Sequence, residues 1–214
     1  MAKNELERRS YNFEVRAEGT ETGGVITGRP IVYNSRADLI WFDEIIEPGA
    51  LDSADLTDVR FLVNHDTKKI PLARSRRNTP NSTMQLLTDN EGLSIRVNLD
   101  TENNADAKSL YSAVNRGDIS GMSFMFGVDD EEWENLESEH PTRHIKKIST
   151  VVEVSAVTFP AYEATEINAR SKEALENARS AVDTAKSAKD KNSVDTELQL
   201  LKEKTRTLLL GGRL

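Results

Sequence analysis

Several short segments of this chain alternate apolar and polar residues, and this alternation constrains the fold more than any other feature. In the segment GLSIRVNLD, every second residue from Leu93 to Leu99 is a branched apolar one. A period of two places such side chains on one face of a β-strand. Six or seven segments of this kind, punctuated by Gly, Asn and Asp, lie between residues 12 and 168. The pattern predicts an antiparallel β sandwich or barrel.

One segment among the predicted strands has helical spacing instead. In NNADAKSLYSAVNRG, Asn103 or Asn104 can cap the start of a helix, and Gly117 can end it. The apolar stripe of this predicted helix is Ala107, Leu110, Tyr111 and Val114.

The character of the sequence changes after Pro160. Ser171 can cap a helix with alanines at spacings of four and three, and the run from Val194 to Leu208 has a similar apolar spacing. Each run is about two heptads long and needs a partner for stability. We therefore predict an N-terminal extension over residues 1–11, a folded domain over 12–168 and a helical, coiled-coil tail over 169–214.

Composition and charge limit the class of protein. The tail has ten basic and seven acidic residues, so its net charge is +3. The rest of the chain therefore has a net charge of −11, which gives the total of −8. An acidic body argues against direct nucleic-acid binding as the main function. The chain has no cysteine, no apolar run near the ~20 residues that span a bilayer, and no secretory signal at its start. We expect a soluble protein of a reducing compartment, with no membrane partner.

The chain has only three histidines, and one of them stands out. His140 and His144 lie in the acidic segment 129–144, which we interpret as a solvated loop between two strands. His65 instead ends the alternating run VRFLVNH, on the same nominal face as its apolar residues. It could be a buried strand-end residue, a metal ligand or a general base. The absence of cysteine and of an HExxH pair disfavours a zinc site.

Two further strands each contain one polar residue in apolar surroundings. Ser123 lies in GMSFMFG, on the face opposite Met122 and Phe124, and Glu153 lies within TVVEVSAV. Either group needs a hydrogen-bond partner if it is buried. A backbone carbonyl would satisfy Ser123, and water would satisfy Glu153 at a strand edge. Together with His65, however, the two residues also fit a nucleophile, base and orienting acid.

The order of several segments resembles a known family. GRPIVYN, EIIEPGAL, LVNHD, EGLSIRVNLD, RGDISGMSFMFGV and VVEVSAVTFPAYEAT together resemble the prohead maturation proteases of tailed bacteriophages, across about residues 12–168. That family is similar in fold to the herpesvirus assembly proteases. The resemblance implies a mainly β (α+β) fold, with a small antiparallel β-barrel flanked by helices. It implies that Ser123 is the nucleophile and His65 the base, with Glu153 in place of the second histidine of the herpesvirus enzymes.

The resemblance also implies a function. We expect a serine endopeptidase without cofactor or metal that cleaves the scaffold protein, or the scaffolding region of the major capsid protein, and itself. It would act inside the immature procapsid in the bacterial cytoplasm, as a monomer or a homo-oligomer, with the tail docking on scaffold. Two alternatives stay open at this point. One is a non-catalytic assembly protein with a β-barrel head and a coiled-coil tail, and the other is a metal-dependent hydrolase that uses His65.

Overall fold

A computed structural model describes residues 6–11, 15–20, 23–158 and 171–186. The chain divides into two compact units, Met1–Lys172 and Glu173–Leu214. In the described part, the strands are β1 (Leu6–Tyr11), β2 (Arg16–Thr20), β3 (Gly23–Val32), β4 (Arg36–Asp38), β5 (Asp43–Ile46), β6 (Asp58–Val63), β7 (Ala73–Arg76), β8 (Met84–Asp89), β9 (Gly92–Leu99), β10 (Gly121–Glu134) and β11 (Thr142–Val157). The helices are α1 (Ala105–Arg116) and α2 (171–186). None of the helices in these ranges is long and apolar enough to cross a membrane.

The larger sheet has seven strands and branches at β11. Its main order is β1-β10-β11-β5-β4, and β6 joins it by pairing with both β11 and β7. The first part of β11 pairs in parallel with β5, over Thr142–Ile145, and a later part pairs in parallel with β6, over Glu153–Ala156. One long strand thus supports two shorter ones on the same edge.

The smaller sheet has four strands, in the order β2-β3-β9-β8. The prediction of a half-buried strand from the alternation in GLSIRVNLD is confirmed. The buried residues are Leu93, Ile95, Val97 and Leu99, while Arg96 and Asn98 between them are exposed. The mainly β class with few helices is therefore confirmed. The described strands form two open sheets, however, and they do not close into the single barrel that we expected.

One hydrophobic core joins the two sheets and α1. It includes Ile26 of the smaller sheet, Phe61 and Phe124 of the larger one, and Leu110 of the helix. Burying side chains of this size contributes roughly 1.5–3 kcal/mol each, before the loss of conformational entropy. The core fixes β6 and β10 from their apolar sides and so holds their polar residues in place.

Helix α1 begins and ends as its sequence predicts. The side chain of Asn104 accepts hydrogen bonds from the backbone of Asp106 and Ala107, and Gly117 ends the helix with a φ of 79°. Three of the four predicted stripe residues are buried, and the fourth, Tyr111, is half-buried.

The acidic segment 129–144 is not the loop that we predicted. Strands β10 and β11 continue through most of it as a hairpin, with the connection only between Glu134 and Thr142. Its acidic residues pair with basic residues across the hairpin, as Asp129 does with Lys147 at 3.1 Å. These cross-strand ion pairs allow a highly charged segment to stay in a sheet.

The predicted tail is described only in part. The described residues 171–186 are helical, and Ser171, which we predicted as a cap, is the first of them. The second predicted run, from Val194 to Leu208, lies outside the described residues, so the coiled coil stays a prediction.

Candidate active site

A tight turn after β6 determines the position of His65. The strand ends at Val63, and Asn64 and His65 both have a positive φ, of 50° and 54°. The turn is held because the Asn64 backbone donates to the Ala156 carbonyl at 3.0 Å and its side chain bonds to Thr158. The strand alternation therefore does not extend to His65. We predicted that its side chain points inward, and it is only 6% exposed, but the turn rather than the strand period places it there.

The three polar residues singled out in the sequence meet in the structure. Nε2 of His65 lies 2.6 Å from Ser123 Oγ, and Nδ1 of the same ring contacts Glu153 Oε1. All three side chains are buried. One imidazole thus bridges a hydroxyl and a carboxylate, in the arrangement that lets a histidine accept a proton from a serine.

Strand register explains why residues so distant in sequence meet. Strand β10 pairs antiparallel with β11, which places Ser123 opposite Ser155 and Met125 opposite Glu153. On the other edge of β11, β6 pairs in parallel and ends beside Ala156, one residue before the turn that contains His65 begins. Glu153 and Ser155 are two residues apart on one strand, so both point to the face where Ser123 lies.

Ser155 belongs to the same cluster and was missed in the sequence. Its fully buried Oγ donates to Glu153 Oε2 at 2.7 Å and accepts the backbone N–H of His65 at 3.2 Å. The available signal was its spacing of two from Glu153 within EVS. Ser155 connects the carboxylate to the backbone of the histidine that this carboxylate contacts.

Ser123 makes a second hydrogen bond, to the N-terminal strand. Its Oγ donates to the backbone carbonyl of Arg9 at 2.7 Å, and β1 pairs with β10 so that Ser10 lies opposite Ser123. The serine has no exposed surface in this arrangement. Ser120, three residues earlier, is exposed and lies before β10 begins.

Comparison with known proteins now decides the family. A family model described as "Caudovirus prohead serine protease" matches residues 11–180. The chain belongs to this family. The resemblance seen in the sequence is confirmed, and the protein is a prohead maturation protease.

Two other comparisons give less information about the family. No curated protein matches the chain. Among solved structures, the chain is similar to the bacteriophage T4 capsid assembly protease, gp21, with 13% identity and a TM-score of 0.38. That match covers 73% of this chain and 100% of the other.

The other histidines of this prohead protease pair with different carboxylates. Nδ1 of His144 lies 3.0 Å from Glu47 Oε1. His140 lies near two aspartates, Asp38 and Asp43, in a group whose ligand atoms are all within 4.8 Å of one another. Arg36 Nε already pairs with Asp43 at 3.0 Å, and a cation beside a carboxylate opposes the binding of a metal ion. Asp66, next to His65 in sequence, accepts the backbone N–H of Lys68 instead.

A buried ionic cluster holds β1 in the protease. Arg9 is 2% exposed, and its guanidinium donates to both oxygens of Glu44 and to Glu7. Arg143 donates to the same two carboxylates and to Glu131. Burial alone would raise the pKa of the Glu7 carboxyl, but Arg9 and Arg143 lower it from 4.5 to about 2. Burial alone would lower the pKa of Arg9, and its attraction to Glu44 and Glu7 raises it instead.

Proposed function

We propose that this chain is a serine endopeptidase with a Ser123, His65 and Glu153 triad. The observation that supports this most directly is one buried imidazole with both nitrogens engaged, Nε2 by Ser123 Oγ at 2.6 Å and Nδ1 by Glu153. Burial matters because a carboxylate shielded from water interacts more strongly with an imidazolium.

Each residue has one role in the reaction. Glu153 accepts a hydrogen bond from the Nδ1–H of His65 and stays ionised, which leaves the lone pair of Nε2 on the side of Ser123. Nε2 accepts the Ser123 hydroxyl once this hydroxyl no longer donates to the Arg9 carbonyl. Ser123 Oγ attacks the carbonyl carbon of the scissile peptide while Nε2 takes its proton, and the imidazolium is stabilised by Glu153. His65 then protonates the leaving amine, and an acyl-enzyme remains on Ser123. Water, deprotonated by His65, hydrolyses this ester and regenerates the serine.

The proposed substrates are proteins of the immature capsid. We infer them from the family: the scaffold protein or the scaffolding region of the major capsid protein, and this chain itself. The reaction takes place inside the procapsid in the bacterial host. Residues 169–214 serve as the docking segment for scaffold. If a chain that lacks 169–214 enters procapsids normally, the docking role is wrong.

The nucleophile is tested by Ser123→Ala, with Ser120→Ala as a matched control. The first variant should stop processing of capsid or scaffold precursor, since the attacking oxygen is gone, and should leave the thermal melting temperature nearly unchanged. The second variant should process normally. A fluorophosphonate probe should label wild type and Ser120→Ala but not Ser123→Ala. Labelling of Ser123→Ala at the wild-type rate would refute the assignment, and no labelling of any form would favour a non-catalytic assembly protein.

A further inference from the structure

Strand β1 lies where a substrate would have to approach Ser123. It belongs to the larger sheet and pairs with β10 at six positions, from Leu6 opposite Gly127 to Tyr11 opposite Met122. Its Arg9 carbonyl accepts the hydroxyl of Ser123. The serine is completely covered, so no peptide carbonyl can reach its Oγ while β1 stays in place.

Most of strand β1 also lies outside the part of the chain that matches the family. The family match begins at residue 11, so five of the six residues of β1 precede it. Removing β1 would leave the edge of β10 unpaired beside Ser123. An unpaired strand edge binds extended peptides through main-chain hydrogen bonds.

We propose that β1 is an internal occupant of the substrate site, and that a substrate segment replaces it as an antiparallel strand along β10. This rests on the proposed function of Ser123. The protease is closed while β1 is paired and becomes competent when β1 leaves. A site that is occupied most of the time reacts in proportion to the fraction that is open.

The pocket of Arg9 indicates which residue the substrate presents. Both oxygens of Glu44 bind the Arg9 guanidinium, at 2.5 and 2.6 Å, and the ring of Phe126 lies 5.7 Å from it. Once β1 has left, Glu44 and Glu131 would share one cation among the described residues, Arg143. Glu44 is fully buried, whereas Glu131 is partly exposed, so the uncompensated charge falls mainly on a carboxylate that is shielded from water and favours a cation beside it. The expected substrate is therefore an extended segment with an arginine or lysine at the Arg9 position, directly before the residue opposite Ser123.

A reversible lock tests the closed state in the full chain. The protein has no cysteine, so Arg8→Cys with Met125→Cys, which are opposite each other on β1 and β10, can form one defined disulfide. The control pair is Leu87→Cys with Ser94→Cys, opposite each other on β8 and β9. We expect fluorophosphonate labelling of the first pair to stop on oxidation and to return on reduction. The control pair should label equally in both states.

The outcomes separate this inference from the proposed function. If the oxidised lock labels as fast as the reduced form, β1 does not close the site and the inference is wrong, while the serine assignment stands. If Ser123 is not labelled in any form, including the reduced lock and wild type, the proposed function fails first.

A peptide added in trans tests the occupant. Arg9→Ala in the full chain should weaken the binding of β1 along β10, because the contacts of Arg9 with Glu44 are lost. The labelling rate should then rise by about tenfold or more, in proportion to the fraction of molecules in which β1 has left the site. A peptide of residues 3–12, KNELERRSYN, should then slow labelling of this variant or be cleaved after Arg9. The same peptide with Arg9→Glu should do neither. Equal effects of the two peptides would overturn the basic subsite, and no effect of Arg9→Ala on the labelling rate would overturn the role of Arg9 as an anchor.

Discussion

Replacing Glu153 by glutamine tests the least familiar member of the proposed triad. The change keeps the size of the side chain and removes its charge. In the structure the carboxylate is 3% exposed, contacts Nδ1 of His65 and accepts the Ser155 hydroxyl at 2.7 Å. An amide in this place can turn its NH₂ group toward Nδ1. His65 would then carry its proton on Nε2, where it cannot accept one from Ser123.

The magnitude follows from the charge that is lost. During attack the imidazole becomes a cation, and a carboxylate about 4 Å from it stabilises that cation by roughly 4 kcal/mol at an effective dielectric constant of 20. The wrong tautomer adds to this loss. We therefore expect kcat to fall roughly 10³- to 10⁴-fold, with KM nearly unchanged because Glu153 does not reach the substrate.

The assay is single-turnover cleavage of purified capsid or scaffold precursor, with fluorophosphonate labelling as a second measurement. Asp66→Asn is the control, because it removes a carboxylate next to His65 in sequence that accepts only the Lys68 backbone among the described contacts. It should cleave at close to the wild-type rate. If Glu153→Gln and Asp66→Asn have similar rates, the orienting role of Glu153 is wrong.

Two further predictions concern groups around the triad. Ser155→Ala should lower kcat by about tenfold, because Glu153 Oε2 and the His65 N–H each lose a buried hydrogen bond, with KM unchanged in the same cleavage assay. Wild-type kcat in this variant would contradict the positioning role. Glu7→Gln should lower the free energy of unfolding at pH 7 by up to about 3 kcal/mol in denaturant melts. Since the pKa of Glu7 is lowered from 4.5 to about 2, this difference is fully present above pH 4.5 and should disappear as the pH falls through 2; a difference that is independent of pH would refute it.

Local patterns in the sequence predicted local structure well. The alternation in GLSIRVNLD identified a half-buried strand, and the Asn104 cap and Gly117 stop gave the bounds of α1. The same patterns identified Ser123, His65 and Glu153, since a polar residue within an apolar strand needs a partner. Family resemblance then selected the catalytic interpretation from several that the residues left open.

Long-range pairing could not be predicted in the same way. Nothing in residues 6–11 indicates that they pair with β10, because three of the six residues of LERRSY are charged and the segment has no apolar alternation. Their register depends on Arg9 reaching Glu44, 35 positions away. The prediction of a closed barrel was not confirmed for a similar reason. The branching at β11 depends on which strand pairs with each half of β11, and local sequence patterns do not show this.

The parallel pairing of β6 with β11 makes the site possible. A parallel pair needs a long connection, and here the connection from β6 to β11 contains the smaller sheet's β8 and β9, helix α1 and β10. That route delivers Ser123 on β10 to one edge of β11 and leaves His65 at the end of β6 on the other, with Glu153 on the strand between them. The imidazole has to extend over β11 to reach the serine, and the left-handed turn at Asn64 and His65 directs it there. The backbone strain in that turn, of roughly 1–2 kcal/mol per residue, is therefore a cost of placing the base above its acid.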